Sequence, residues 1–160
     1  MARTTIRPVR ASQVEMTELV LPNDTNRLGN LLGGRLMHWI DIAAAIAASR
    51  HTNRVCVTAS VDELNFLNPV KQGEVVVLRA SVNRVFRTSL EVGVNVITEN
   101  TLTGASTHTN TAYLTFVAID EEGKPVVASP VKPVTAVEKK RFRDAARRRE
   151  IRLLHRSRGA

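Results

Sequence analysis

A chain of 160 residues, 43% hydrophobic and 24% charged, has the size and make-up of one folded domain. It holds no run of about 18 apolar residues, which excludes a membrane-spanning helix, and its basic start MARTTIRPVR leads into no apolar signal core. The net charge of +8 is uneven: residues 138–160 hold ten Lys/Arg against three Asp/Glu, while the rest of the chain is close to neutral. A basic end can attract nucleic acid, anionic lipid or phosphorylated ligands. Only Phe142 accompanies this one, so nucleic-acid binding is not expected and a solvated helix is. The single cysteine, Cys56, forms no internal disulfide and argues against a cysteine-built metal site, so the expected setting is cytoplasmic.

The first element expected is a strand within 12–21, alternating through Val14 and Met16 and stopped by Pro22. A turn-rich loop, NDTNRLGN, follows. Leu36, Ile40, Ala43, Ala44 and Ala47 then recur at helical spacing from Gly33 to about Arg50. The alanines narrow that face, and Arg50 and His51 suit a helix C-terminus. Residues 53–66 alternate as a strand, with Val55, Val57, Ala59 and Val61 on one face and Cys56, Thr58, Ser60 and Asp62 on the other. Further strands are expected at 74–86, at 88–100 with Leu90, Val92, Val94 and Val96 inward, and at 107–120. NTLTG closes a hairpin, and a second helix is expected over about 135–154 after Pro133.

Short connections favour antiparallel neighbours. A sheet of this size must cover its apolar face, and only the 33–50 helix is large enough to do so. The fold class is therefore α+β: an antiparallel sheet wrapped around a long central helix, with a C-terminal helix. Asp41 interrupts that helix's apolar run. A buried carboxylate is costly without a partner or a chemical task, and the residues alone leave both readings open.

The layout, with LGNLLGGRLMHWIDIAAAIAASRH, VTASVDELNFLNPVKQGEVV and RTSLEVGVNV, resembles the hotdog-fold acyl-CoA thioesterases, in their cytosolic acyl-CoA hydrolase group. The likeness covers about residues 12–120. It implies a hotdog thioesterase domain over 10–122 followed by a basic helix and tail at 133–160. It also implies hydrolysis of acyl-CoA to fatty acid and CoA.

In that chemistry the amides of Gly33 and Gly34 at the helix start would hold the developing oxyanion. Asp41 would act as general base or nucleophile, and Asn30 would act with the Asp of a facing subunit. Arg84, Arg87, Thr88 and Ser89 would meet the CoA moiety. No cofactor is expected beyond coenzyme A as part of the substrate, and the four histidines lack metal spacing. The expected assembly is a dimer, grouped as a trimer of dimers. The alternatives are a hotdog hydratase or dehydratase, disfavoured because no His stands in the turn, and a non-catalytic acyl-CoA-binding regulator.

Overall fold

Two periodicities in burial define the elements of the computed structural model, which describes residues 5–159; the first four residues of the basic start and Ala160 lie outside them. In chain order the elements are β1 (Arg7–Pro8), β2 (Val14–Leu19), α1 (Gly33–Thr52), β3 (Val55–Val61), β4 (Val75–Val85), β5 (Ser89–Glu99), β6 (Ser106–Ile119), β7 (Val131–Lys132) and α2 (Ala136–Arg158). Both helices and the strands β2, β4, β5 and β6 fall where the sequence places them, with α2 reaching four residues further than expected, but β3 is shorter than the strand expected over 53–66: it ends at Val61, and 62–66 belong to the connection that follows.

Five strands form one antiparallel sheet in the order β2-β4-β5-β6-β3, and β1 pairs with β7 in a separate parallel pair. The short connections give antiparallel neighbours at β4–β5 and β5–β6, as expected, whereas the successive strands β3 and β4 do not pair. β3 lies against β6, at the sheet edge, and the connection 62–74 carries the chain back so that β4 enters between β2 and β5. The pattern of β4 fits its place. Val76, Leu78, Ala80 and Val82 are buried on the face toward α1, and Val77 and Asn83 are buried on the other, where Arg79 stays exposed.

α1 lies across the concave face of the sheet. Ile40, Ala43, Ala44, Ala47 and Ala48 are fully buried there against Leu78, Leu90, Val92, Leu114 and Phe116. Each larger side chain contributes about 1.5–3 kcal/mol by leaving water. The alanines let the helix backbone approach the sheet closely. The helix is not enclosed on all sides: Gly34, His38, Ile42, Ile46 and Arg50 form an exposed stripe at four-residue intervals. Asn53, in the left-handed region at φ 51°, ends the helix with its N–H donating to Ser49 O.

The basic C-terminal segment is not a free solvated helix. α2 starts at Thr135, whose hydroxyl accepts from Glu138 N while the Glu138 carboxylate accepts from Thr135 N. It then packs on the convex face of the sheet. Glu91 of β5 is fully buried there, accepts two bonds from Arg148 Nε and one from Arg148 Nη2 at 2.7 Å, and also accepts from Asn83 and Arg152. Arg148 lies over the Tyr113 ring at 3.6 Å, and Arg84 over Phe142 at 3.9 Å. Among the described residues no helix is long and apolar enough to cross a membrane.

Candidate active site

The loop before α1 is built by side chains that hold backbone. Asn26 Oδ1 accepts from Leu28 N and Asn30 N, and Asn26 N donates to Asn30 O at 2.8 Å. Gly29 supplies the positive φ of 74° that this turn requires. Asp24 pairs with Arg35 at 3.2 Å and its carbonyl accepts from Leu32 N, which ties the loop to the first turn of α1.

Gly33 and Gly34 therefore have a different role from the turn glycine. Neither has positive φ, the helix has no side-chain cap and no acidic residue in its first turn, and the N–H groups of both glycines lack backbone acceptors. Unpaired N–H groups at the positive end of a helix attract an anion or a developing oxyanion. A Cβ at Gly33 would touch the Phe66 ring at 3.4 Å, whereas at Gly34 it would meet open space. A cavity of about 290 Å³ opens here, lined by Asn26, Asn30, Leu31, Gly33, Leu36, Phe66, Asn68, Pro69, Val70 and Asn110. Its mixture of apolar side chains and asparagine amides suits an acyl chain ending in a polar carbonyl.

Asp41 stands eight residues into the helix, about 12 Å along it at the usual rise per residue. It is half-buried, and Thr58 Oγ1 donates to its Oδ1 at 2.7 Å. Among the described residues the other carboxylate oxygen makes no hydrogen bond, and His38, three residues earlier, is not bonded to it. The carboxylate is thus oriented on one side and open on the other. It lies next to the exposed stripe of α1 and beside the edge strand β3. Within one chain Asp41 does not line the cavity that holds Asn26, Asn30 and Gly33.

Thr58 was not singled out by sequence reasoning, although it lies on the Cys56–Thr58 face of an alternating strand. Asn26 was missed as well. Its polar turn, NDTN, reads only as loop, and its place at the cavity follows from the turn geometry. Both Asn26 and Asn30 line the cavity.

The 84–89 hairpin is partly engaged by α2. Arg84 Nη1 donates to Phe142 O, and Ser89 Oγ accepts from Arg149 Nη1. Arg87 is exposed and Thr88 half-buried, and among the described residues the side chains of these two make no hydrogen bond.

The family model described as Thioesterase superfamily matches residues 28–105. The chain is 45% identical to the uncharacterized acyl-CoA thioester hydrolase YkhA of Bacillus subtilis, over 81% of this chain and 75% of that one. It is 41% identical to mouse acyl-coenzyme A thioesterase 11 over 90% of its own length but only 24% of that much longer protein. Among solved structures, an apo-hexameric acyl-CoA thioesterase superposes with a TM-score of 0.91 at 41% identity, covering 98% of both chains. An acyl-CoA hydrolase of Staphylococcus aureus, solved with butyryl coenzyme A and coenzyme A, superposes at 0.91 with 35% identity, covering 97% of this chain and 94% of that one. That protein has also been solved as three separate alanine variants, of one asparagine, one aspartate and one threonine. Its aspartate follows the asparagine by fifteen positions, and its threonine follows the aspartate by seventeen. Matched in sheet, central helix and C-terminal helix over nearly its whole length, this chain belongs to the thioesterase superfamily, in its hotdog-fold acyl-CoA hydrolase group.

Proposed function

We propose that this acyl-CoA thioester hydrolase cleaves its substrate by Asp41-assisted attack of water, with the thioester carbonyl held at the start of α1. The observation that carries this reading is the carboxylate of Asp41, fixed by Thr58 at 2.7 Å on one oxygen and open on the other. The intervals in the Staphylococcus protein support it. Asn26, Asp41 and Thr58 reproduce both spacings, fifteen and seventeen, so Asn26 joins Asn30 as the amide for the carbonyl. Asn26 Oδ1 is occupied by two backbone donors, which leaves its Nδ2 to donate.

In the reaction, the free oxygen of Asp41 takes a proton from water as the water oxygen bonds to the thioester carbon. The carbonyl electrons move onto oxygen, where the Gly33 and Gly34 amides and the asparagine amide stabilise the charge. The oxyanion then collapses, the C–S bond breaks, and the leaving sulfur takes the proton to give CoA and the free fatty acid. Direct attack by Asp41 through an anhydride gives the same products.

Asn26 lines the cleft and Asp41 of the same chain does not, which supports a site completed by the Asp41 of a second copy. Val55, Val57 and Val61 of edge strand β3 are 66, 45 and 40% exposed, with Ile42 and Ile46 beside them. An uncovered apolar edge of this kind is a pairing surface, and the paired copy would bring its Asp41 toward the first copy's cleft. The likeness to a hexameric thioesterase supports grouping three such dimers. Arg87 and Thr88 are free to meet the phosphates of CoA, with Arg84 and Ser89 adjacent. A cytoplasmic setting completes the reading, in keeping with the one free thiol, Cys56.

The test is release of free CoA from a panel of acyl-CoAs. Asp41→Ala and Asp41→Asn should each lower kcat by about 10²–10⁴-fold with folding intact. Thr58→Ala, which frees the carboxylate without removing it, should lower it less. Wild-type rates in both Asp41 variants would overturn the assignment.

A further inference from the structure

The connection 62–74 brings Phe66, Asn68 and Pro69 to the cleft, yet it has little regular structure of its own. Its first residue is held from two sides. Asp62 N donates to Tyr113 O at 3.0 Å, and the Asp62 carboxylate accepts from Arg152 Nη1 at 3.1 and 2.9 Å. The same Nη1 donates to Glu91 Oε2 at 3.3 Å. Asn110 Nδ2 gives a second anchor, donating to Asn65 O.

The side chains of Arg152 and Asp62 are each only 20% exposed, and Glu91 behind them is fully buried. An exposed ion pair contributes little, but one shielded and backed by a buried carboxylate is charge-assisted and directional. Arg152 is also more than a fastener for α2. The helix keeps Arg148 on Glu91, Arg84 against Phe142 and Arg149 over Phe86 without it. What Arg152 adds is the reach from the convex face of the sheet to the end of β3, where the loop begins.

We propose that Arg152 and Asp62 are positioning residues for the substrate cleft, with α2 bracing the loop 62–69 so that Phe66 stays across Gly33. The proposal rests on the reading of that cleft as the acyl-thioester site. A loop with few bonds of its own opens readily. Here the brace lowers the population of open forms, and substrate then meets a preformed wall.

Two measurements test it: amide hydrogen exchange of residues 63–68 in the free protein, and steady-state hydrolysis of butyryl-CoA. Arg152→Ala and Asp62→Asn should each raise loop exchange about tenfold while α1 exchange stays unchanged. Each should raise KM about five- to tenfold with kcat within about twofold of wild type. The double variant should be no worse than Arg152→Ala alone, because that change already removes the Asp62 contact along with the one to Glu91. Arg152→Lys, which keeps the charge but has a shorter reach than the Nη1 that makes all these contacts, should restore part of the effect. Unchanged loop exchange in both single variants overturns the brace, and additive effects in the double variant overturn the pairing. Raised exchange with unchanged KM overturns the link to the cleft. If the wild-type protein releases no CoA from acyl-CoAs, the hydrolase reading fails instead, and the exchange data decide the brace alone.

Discussion

His51, at the end of α1, is fully buried. Its Nε2 lies 2.7 Å from Ser129 O, which can only accept, so Nε2 carries the proton and Nδ1 is an acceptor with no partner among the described residues. Burial lowers its pKa from 6.5; the Ser129 bond opposes this and Arg7 adds to it. The folded state resists a proton that the unfolded chain accepts, so stability falls as pH drops below about 6.5 and levels off beneath the lowered folded value. Denaturant midpoints at pH 7.5 and 5.5 should show this loss in the wild-type protein and a smaller one in His51→Gln. Sequence reading could mark His51 as a helix-end residue, but its burial depends on Ser129, 78 positions away. Asp41 was conspicuous because a charge within an apolar helical run demands an explanation. Thr58 was not, since a threonine in a strand is ordinary, and only the approach of β3 to α1 gives it a partner.

Among the elements, α1 and the strands were legible because burial on one face leaves a period of 3.6 or 2 in the sequence. α2 was legible as a helix but not in its packing. Its ten basic residues read as a solvated tail. The structure places three of those arginines, Arg148, Arg149 and Arg152, against β5 and its flanks, where the acceptors Glu91 and Ser89 lie 57 to 61 positions earlier in the chain. Glu91 is the test of that packing. Glu91→Ala would leave the Arg148 guanidinium half-buried and unpaired and should cost about 3–5 kcal/mol, read as a lower denaturant midpoint. Gly93 belongs to the same cluster, since a Cβ there would fall 2.8 Å from the Asn83 Nδ2 that donates to Glu91.

At the scale of the whole molecule, the sheet is closed on one face by α1 and partly covered on the other by α2, but it ends in an uncovered apolar strand. Val57→Lys on that edge should shift the protein to a monomer by light scattering and remove most thioester hydrolysis while the far-ultraviolet circular dichroism is kept. The sequence by itself determined the elements, the class of the fold and the apolar helix carrying Asp41, because each follows from the local spacing of side chains. Only the tertiary structure decided that β3 lies at the edge rather than beside β4, that Thr58 orients Asp41, and that Arg152 reaches Asp62. Those contacts join residues 17 to 90 positions apart, and no local pattern records which distant groups the folded sheet brings together.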